Sequence, residues 1–469
     1  MKKLLFFPLV FVIIIYTFGA EFTMNFSHGT DGMLWTDSSA YIINNSDIIN
    51  TIYGNLEASL ELKTYFPYKI QSTNRFSKIW KRSIKYNGEN FNVTAGNFYV
   101  SKARNTGLSF FYDDQLHIDR YLDGISASFS PNMLHMNFLA ATPYSKEYKD
   151  GVYITHNDTT DFLLSLGTDL SLNKRFELGM NFDYLNIVSF GRSDKLTNIY
   201  IDLPFDIFEI YSSFGYRSGF DRSSFANNSG FSSYTNFLLY LSSTSIGLET
   251  FYSDSFDFGG SGFRYAETPT LTYSGYSINR GMDEIGGRLN VQTTFSSNIF
   301  KTDLAYITNK NRDKKLSEIY SALTLYPGNN SIDFSLNYIY EDHLHSDIDL
   351  KQTLKSDFEF SIASGIPIKL INREEFTSED TLNYLDSELE GDFTLLPSLT
   401  IYGTFTYRNK NVRNEGTIWI LGGVRFDFMN YNTLQLEVGS RKGGIVCSGG
   451  VCRYEDPFKG IKLKYTFSI

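Results

Sequence analysis

Three groups of residues have the types and spacing that chemistry needs. Both cysteines of the 469-residue chain, Cys447 and Cys452, lie in the glycine-rich stretch GGIVCSGGVCR at 443–453. Four residues separate them, a spacing open to a small disulfide ring, a redox pair or half of a metal clip. Asp342-His343-Leu344-His345-Ser346-Asp347 sets two imidazoles and two carboxylates side by side, a composition that a metal site shares with a solvated loop tip. Asp386, Glu388, Glu390 and Asp392 alternate with other residues, so in a strand all four carboxylates share one face. The other histidines (His28, His117, His135 and His156) sit in no Ser/His/acid context, and there is no Walker loop or dinucleotide fingerprint. We therefore read no catalytic residues, no metal site and no cofactor, and expect a protein that is not an enzyme.

What these residues do depends on the elements that hold them. Residues 1–20, MKKLLFFPLVFVIIIYTFGA, combine a basic start, an apolar run and small residues at Gly19 and Ala20, the pattern of a secretory signal peptide. No later run resembles a membrane-spanning helix. Yet 16% of the chain is aromatic, with 41 Phe and 33 Tyr, and the formal charge is −10. Acidic balance argues against a nucleic-acid partner, which calls for basic surface. An exported, aromatic, cysteine-poor chain without helical spans points to strands.

A two-residue period supports that. In NLEASLELKTYF (55–66), Leu56, Ala58, Leu60, Leu62, Thr64 and Phe66 fall on one face, and Glu57, Ser59, Glu61 and Lys63 on the other. Leu178, Met180 and Phe182 alternate likewise with Gly179, Asn181 and Asp183, and Leu463, Tyr465 and Phe467 with Lys462, Lys464 and Thr466. Many such runs reach roughly 10–13 residues, enough for a tilted membrane crossing. Every second connection is short and turn-like: 87–90, 131, 173–174, 204–205, 243–244, 296–298, 327–330, 364–366, 397 and 429–431. The connections between them are longer, notably 100–122, 143–159, 218–232, 255–285 and 442–456. Alternating short and long connections are the signature of an outer-membrane barrel. The expected fold is an all-β antiparallel transmembrane barrel of about 22 strands (18–24), with short periplasmic turns and longer extracellular loops. It spans residues 52–469, after a periplasmic or lumenal segment at 21–51.

Two segments carry a family resemblance. Gly96-Asn97-Phe98-Tyr99, Gly107-Leu108, Tyr112-Asp113-Asp114, Leu116-His117-Ile118-Asp119 and Gly124 form one, and the GGxxCxGGVCR run at 443–453 the other. Together they resemble an uncharacterised family of Bacteroidetes-type outer-membrane barrels, a domain of unknown function. In that family a Glu-Gln-Phe-Gly-Ser-Gly-like run follows the first motif; VSKARNT at 100–106 stands in its place here. The resemblance implies a fold and a location in the outer membrane, and no activity.

From this topology come the remaining expectations. A barrel of this width must be filled or narrowed, and 21–51 is too short for a plug domain, so 100–122 and 255–285 are expected to fold inward. The carboxylates at 386–392 then face the lumen, either as a cation-favouring path or as plain wet wall. At the closing seam, Lys462 and Lys464 are expected to meet Glu61 and Glu57. Cys447 and Cys452 fall in the last extracellular loop, an oxidising place where two thiols form a disulfide. The expected surroundings are outer-membrane lipid and lipopolysaccharide in a Gram-negative bacterium, with the barrel assembly machinery as partner. Function divides between a solute pore and a non-conducting scaffold whose loops bind a protein or polysaccharide.

Overall fold

The computed structural model describes residues 22–468 except 36–39, 68–75, 106, 114–117, 150–151, 157, 173–175, 189–190, 222–225, 257, 259–264, 266–268, 276–277, 279–282, 346–347, 364–366, 381, 413–415, 429–431, 449–450 and 456–457. The signal-peptide segment 1–20 lies outside the described residues. Twenty-six strands join one antiparallel sheet. Two of them, Tyr112–Asp113 and Val152–His156, are short flaps on longer neighbours, which leaves twenty-four staves. In chain order the staves are β1 (Phe22–Trp35), β2 (Ala40–Tyr53), β3 (Leu56–Pro67), β4 (Phe76–Asn87), β5 (Phe91–Phe98), β6 (Ile118–Phe129), β7 (Leu134–Lys149) and β8 (Phe162–Ser171). Then come β9 (Glu177–Ile187), β10 (Arg192–Pro204), β11 (Phe208–Asp221), β12 (Ala226–Leu241), β13 (Thr244–Asp254), β14 (Asp283–Phe295), β15 (Asn298–Thr308) and β16 (Lys315–Leu325). The last are β17 (Ser331–His345), β18 (Ile348–Ile362), β19 (Ile368–Glu379), β20 (Leu382–Leu396), β21 (Leu399–Arg408), β22 (Ile418–Phe428), β23 (Asn432–Arg441) and β24 (Phe458–Ser468).

Neighbours in the chain are neighbours in the sheet, and β1 pairs with both β2 and β24. That closure leaves no open edge, the condition for a sheet whose backbone must satisfy itself in lipid. Along β9 the pleat sorts the side chains: Leu178, Met180 and Phe182 are exposed, whereas Gly179, Asn181 and Asp183 are buried. Leu166 on β8, Ile199 on β10 and Phe214 on β11 extend the exposed apolar face round the wall. An apolar face turned outward with polar groups turned inward is a lipid-facing barrel. No helix among the described residues is long and apolar enough to cross a membrane.

Three sequence expectations need correction. Residues 22–53 are the first two staves, not a lead-in segment, and so the barrel does not begin at 52. Polar runs at Ser27–Thr30 and Asn44–Asp47 interrupt the apolar alternation there, which hides the hairpin from a period-two reading. Its closing turn, Gly54-Asn55, uses left-handed backbone at Gly54 (φ 54°). The seam therefore moves. Asp31 and Met33 of β1 stand opposite Lys464 and Lys462, while Glu57 and Glu61 sit two staves away, in register with Lys85 and Lys81 of β4. Lys81 lies 3.9 Å from Glu61. Last, 218–232 is mostly strand, because β11 and β12 run on past the expected boundary to a connection at 222–225. Polar small residues on both faces there (Ser218, Asn227, Asn228, Ser229) gave it the composition of a loop.

Candidate pore lining

The connection after β5 packs residues against the inner wall of the barrel. After β5, Val100–Ser101 pairs with Ser109–Phe110 to make a small hairpin apart from the wall. Leu108 and Phe110 are buried with Leu122, Leu139, Ala141, Leu163, Leu185, Ile187 and Leu196, which line the inner face of β6–β10. Phe256, Phe258 and Tyr265, from the β13–β14 connection, join the same cluster. The Phe110 and Tyr265 rings stack with centroids 4.8 Å apart, and Ser109 N–H donates to the Tyr265 carbonyl at 2.8 Å. The two connections thus brace each other. Further round, Leu271 packs against Tyr211, Tyr234, Phe251, Ile307, Leu316 and Ile339, with Ile278 beside them. Tyr273 stacks on Tyr320 at 3.6 Å, and the Ser274 N–H donates to the Glu318 carboxylate at 3.2 Å. The inner face from β6 to β17 is therefore covered, at intervals, by residues of 100–113 and 256–278.

The tip of the small hairpin is basic and meets an acidic wall. Lys102 Nζ donates to Asn137 Oδ1 at 2.5 Å and Ser165 Oγ at 2.7 Å, within the field of the Asp183 and Asp169 carboxylates. Asp183 is fully buried. Arg104 Nη2 lies 2.6 Å from Glu209 and 3.2 Å from Asp202, and its guanidinium sits 4.1 Å over the Tyr211 ring. Ala103 and Arg104 take left-handed backbone (φ 50° and 47°), which costs a non-glycine residue of order 1–3 kcal/mol. The contacts of both side chains hold that turn in place.

The inner face from β18 to β22 is different. Asp386, Glu388, Glu390 and Asp392 do share the face that looks inward, along β20, but strands on either side supply cations. Arg408 of β21 grips Asp386 through Nε and Nη2 at 2.6 and 2.9 Å, and Lys442 bonds the same carboxylate. Arg373 of β19 bonds both Glu388 and Glu390, the latter at 2.9 Å. Asp392 is in register with Lys369. Lys369–Glu359 at 2.9 Å, Lys355–Glu375 at 3.3 Å and Lys351–Glu341 at 3.5 Å continue the pattern. The four carboxylates are thus one rail of a ladder whose charges nearly cancel. Arg373, Glu388 and Glu390 keep 18%, 25% and 22% of their side-chain surface exposed, whereas the inner face under the loops is largely closed.

Cys447 and Cys452 stand directly opposite in a two-stranded hairpin, Gly444–Ser448 with Val451–Glu455, between β23 and β24; their side chains lie outside the described residues. His343 approaches Asp342 at 3.6 Å and Asp349 at 3.5 Å, and Ser346 and Asp347 lie outside the described residues. No group of three or more metal-binding side chains gathers among the described residues.

The sequence offered one clue to the covered half that the period-two reading passed over. Leu163, Leu185 and Ile187 are apolar on the inward face, each next to an outward or half-buried neighbour that is also large and apolar, as in Phe162-Leu163-Leu164, Tyr184-Leu185 and Ile187-Val188. Doubled apolar residues near the long-loop ends of strands mark an inner wall that something covers.

Among known proteins, the model of a family of unknown function (DUF6029) matches residues 276–469, which takes in β14–β24, the carboxylates of β20 and the cysteine hairpin. The motif at 96–124 lies outside that match. No curated protein matches the chain. Solved structures that resemble it include OccK5 (OpdH) of Pseudomonas aeruginosa, with 11% identity over 83% of this chain and 99% of that one and a TM-score of 0.43. The outer membrane protein OpdK of Pseudomonas aeruginosa has 11% identity over 76% and 99%, with a TM-score of 0.44. The P pilus usher PapC translocation pore has 6% identity over 96% and 99%, with a TM-score of 0.48.

Proposed function

We propose that the protein is a channel of a Gram-negative outer membrane, exported by its N-terminal signal peptide and embedded in outer-membrane lipid and lipopolysaccharide by the barrel assembly machinery. Its long loops face outward from the cell and its short turns the periplasm. In this reading 100–113 and 256–278 narrow the lumen, and solutes pass along the charged ladder of β18–β22. The observation that carries it is the asymmetry of the inner wall. One half is sealed by apolar packing, and the other keeps ion-paired but partly exposed charges that only water can contact. A barrel serving only as a surface scaffold has no need of an exposed, charge-balanced inner strip.

Planar-bilayer recording of the purified barrel tests the reading. Ohmic single-channel steps are expected. A silent bilayer from protein that inserts and resists protease would leave the scaffold reading in its place.

The cysteine hairpin belongs to this proposal as a pinned outer loop. Cross-strand residues facing each other in register in an oxidising compartment form a disulfide, and a ring this small shapes the loop more than it stabilises the barrel. Iodoacetamide should label both cysteines only after reduction, and replacing both by serine should leave barrel assembly intact. Labelling without reductant, or loss of assembly, would refute this.

A further inference from the structure

The narrowing hairpin does not lie flush on the wall. Beneath residues 100–103 a cavity of about 240 Å³ remains, closed on the other side by β6–β10. Its chemistry is mixed in an informative way. Its polar lining includes Lys102, Ser126, His135, Asn137, Asp169, Asn181 and Tyr200. Two of the three ammonium protons of Lys102 go to Asn137 and Ser165, so one is left, and Asn137, accepting through its carbonyl, keeps both amide protons. The Tyr200 hydroxyl is 2.8 Å from Asp169 and 2.9 Å from Glu177. A phenol has one proton to give. It cannot serve both carboxylates at once, so strong acceptor capacity remains there.

Glycine makes this arrangement possible. A Cβ on Gly167 would come within 2.4 Å of Asn181 Oδ1 and 2.6 Å of the Asn137 amide; its absence lets the two amides approach across β8.

Charge then selects the ligand class. Lys102 is balanced by the buried Asp183 beside it, while no cation of the described residues forms an ion pair with Asp169 or Glu177. Counting the neighbouring Asp183 and Glu177, carboxylates outnumber Lys102 around the cavity, which disfavours carboxylate and phosphate solutes. What fits is a neutral molecule that offers hydroxyls as both donors and acceptors and presents a C–H face to the Tyr200 ring. Taking the channel reading for how solute arrives, we infer that the cavity is a binding subsite for a neutral sugar, one monosaccharide unit in size, with Asp169 accepting from adjacent hydroxyls and Lys102 and Asn137 donating to others.

Calorimetry on the full barrel in detergent tests this without requiring conduction. Glucose, galactose and mannose are titrated in turn, with glycine and glutamate as comparison solutes. Saturable heat with at least one sugar is expected, weakened tenfold or more by the isosteric Asp169→Asn and unchanged by Arg425→Gln on β22, which pairs with Asp427 and lies off the cavity. No saturable sugar binding, binding of the amino acids instead, or full binding by folded Asp169→Asn would each overturn the inference. A silent bilayer together with intact sugar binding would remove the channel reading and leave the subsite standing.

Discussion

Replacing residues 101–111 by a short Gly-Ser link raises single-channel conductance by roughly threefold or more, because a barrel wider than the 16–18-stranded porins is an open aqueous channel wherever it is not filled. The size of the effect follows from how firmly the segment is seated. Leu108 and Phe110 are fully buried, each worth about 1.5–3 kcal/mol. Lys102 and Arg104 add charge-assisted hydrogen bonds that hold the left-handed turn at 103–104. A single substitution removes only part of this, so the hairpin stays down most of the time. The double variant Lys102→Ala/Arg104→Ala should therefore flicker between two current levels, and the deletion should hold the larger one. The wall itself does not depend on the hairpin, since the registers of β5–β6 and β6–β7 are continuous backbone pairings. Unchanged conductance from a deletion variant that folds and inserts would show that the hairpin obstructs nothing.

Much of this architecture can be read directly from the chain, and the parts that cannot share a cause. A strand such as β9 announces itself, because its outward residues must be apolar for lipid and its inward ones need not be. The first hairpin does not, because Ser27–Thr30 and Asn44–Asp47 break the apolar alternation of the sequence, and only backbone pairing with β24 and β3 shows where those residues lie. The seam failed with it: an error of two staves moves the partners of Lys462 and Lys464 from Glu61 and Glu57 to Met33 and Asp31. Period and turn chemistry are local properties, legible within about ten residues of sequence. Lateral partnership is not. Arg373 lies 15 residues from Glu388 and 17 from Glu390, and Lys442 lies 56 from Asp386. Nothing in the acidic run itself reveals the cations that flank it.

Those cations open the proposed channel function to a sharp test. Asp386, Glu388, Glu390 and Asp392 are spaced about 7 Å apart up one strand. Alone they would be a cation-attracting rail, but four cations stand against them: Arg408 and Lys442 on Asp386, Arg373 between Glu388 and Glu390, and Lys369 in register with Asp392. The wild-type barrel should accordingly show a reversal potential near zero in a potassium chloride gradient. Arg373→Gln strips the shared cation from Glu388 and Glu390, the most exposed part of the rail, and leaves two uncompensated carboxylates facing the passage. Folding should survive, because partly wet ion pairs contribute about 0–1 kcal/mol each. Selectivity should not. At 0.1 M salt, where charges act over about 10 Å, permeability should shift severalfold toward potassium, and the shift should shrink at 1 M, where screening cuts that reach to about 3 Å. Arg373→Lys keeps the charge and should keep the neutral reversal potential, even though a lysine cannot reproduce the guanidinium fork. Adding Glu388→Gln alone to Arg373→Gln removes one carboxylate for the one cation lost and should restore neutrality. If Arg373→Gln leaves the reversal potential unmoved at low salt in a conducting barrel, the ions travel elsewhere, and the ladder is a brace of the wall and no part of the path.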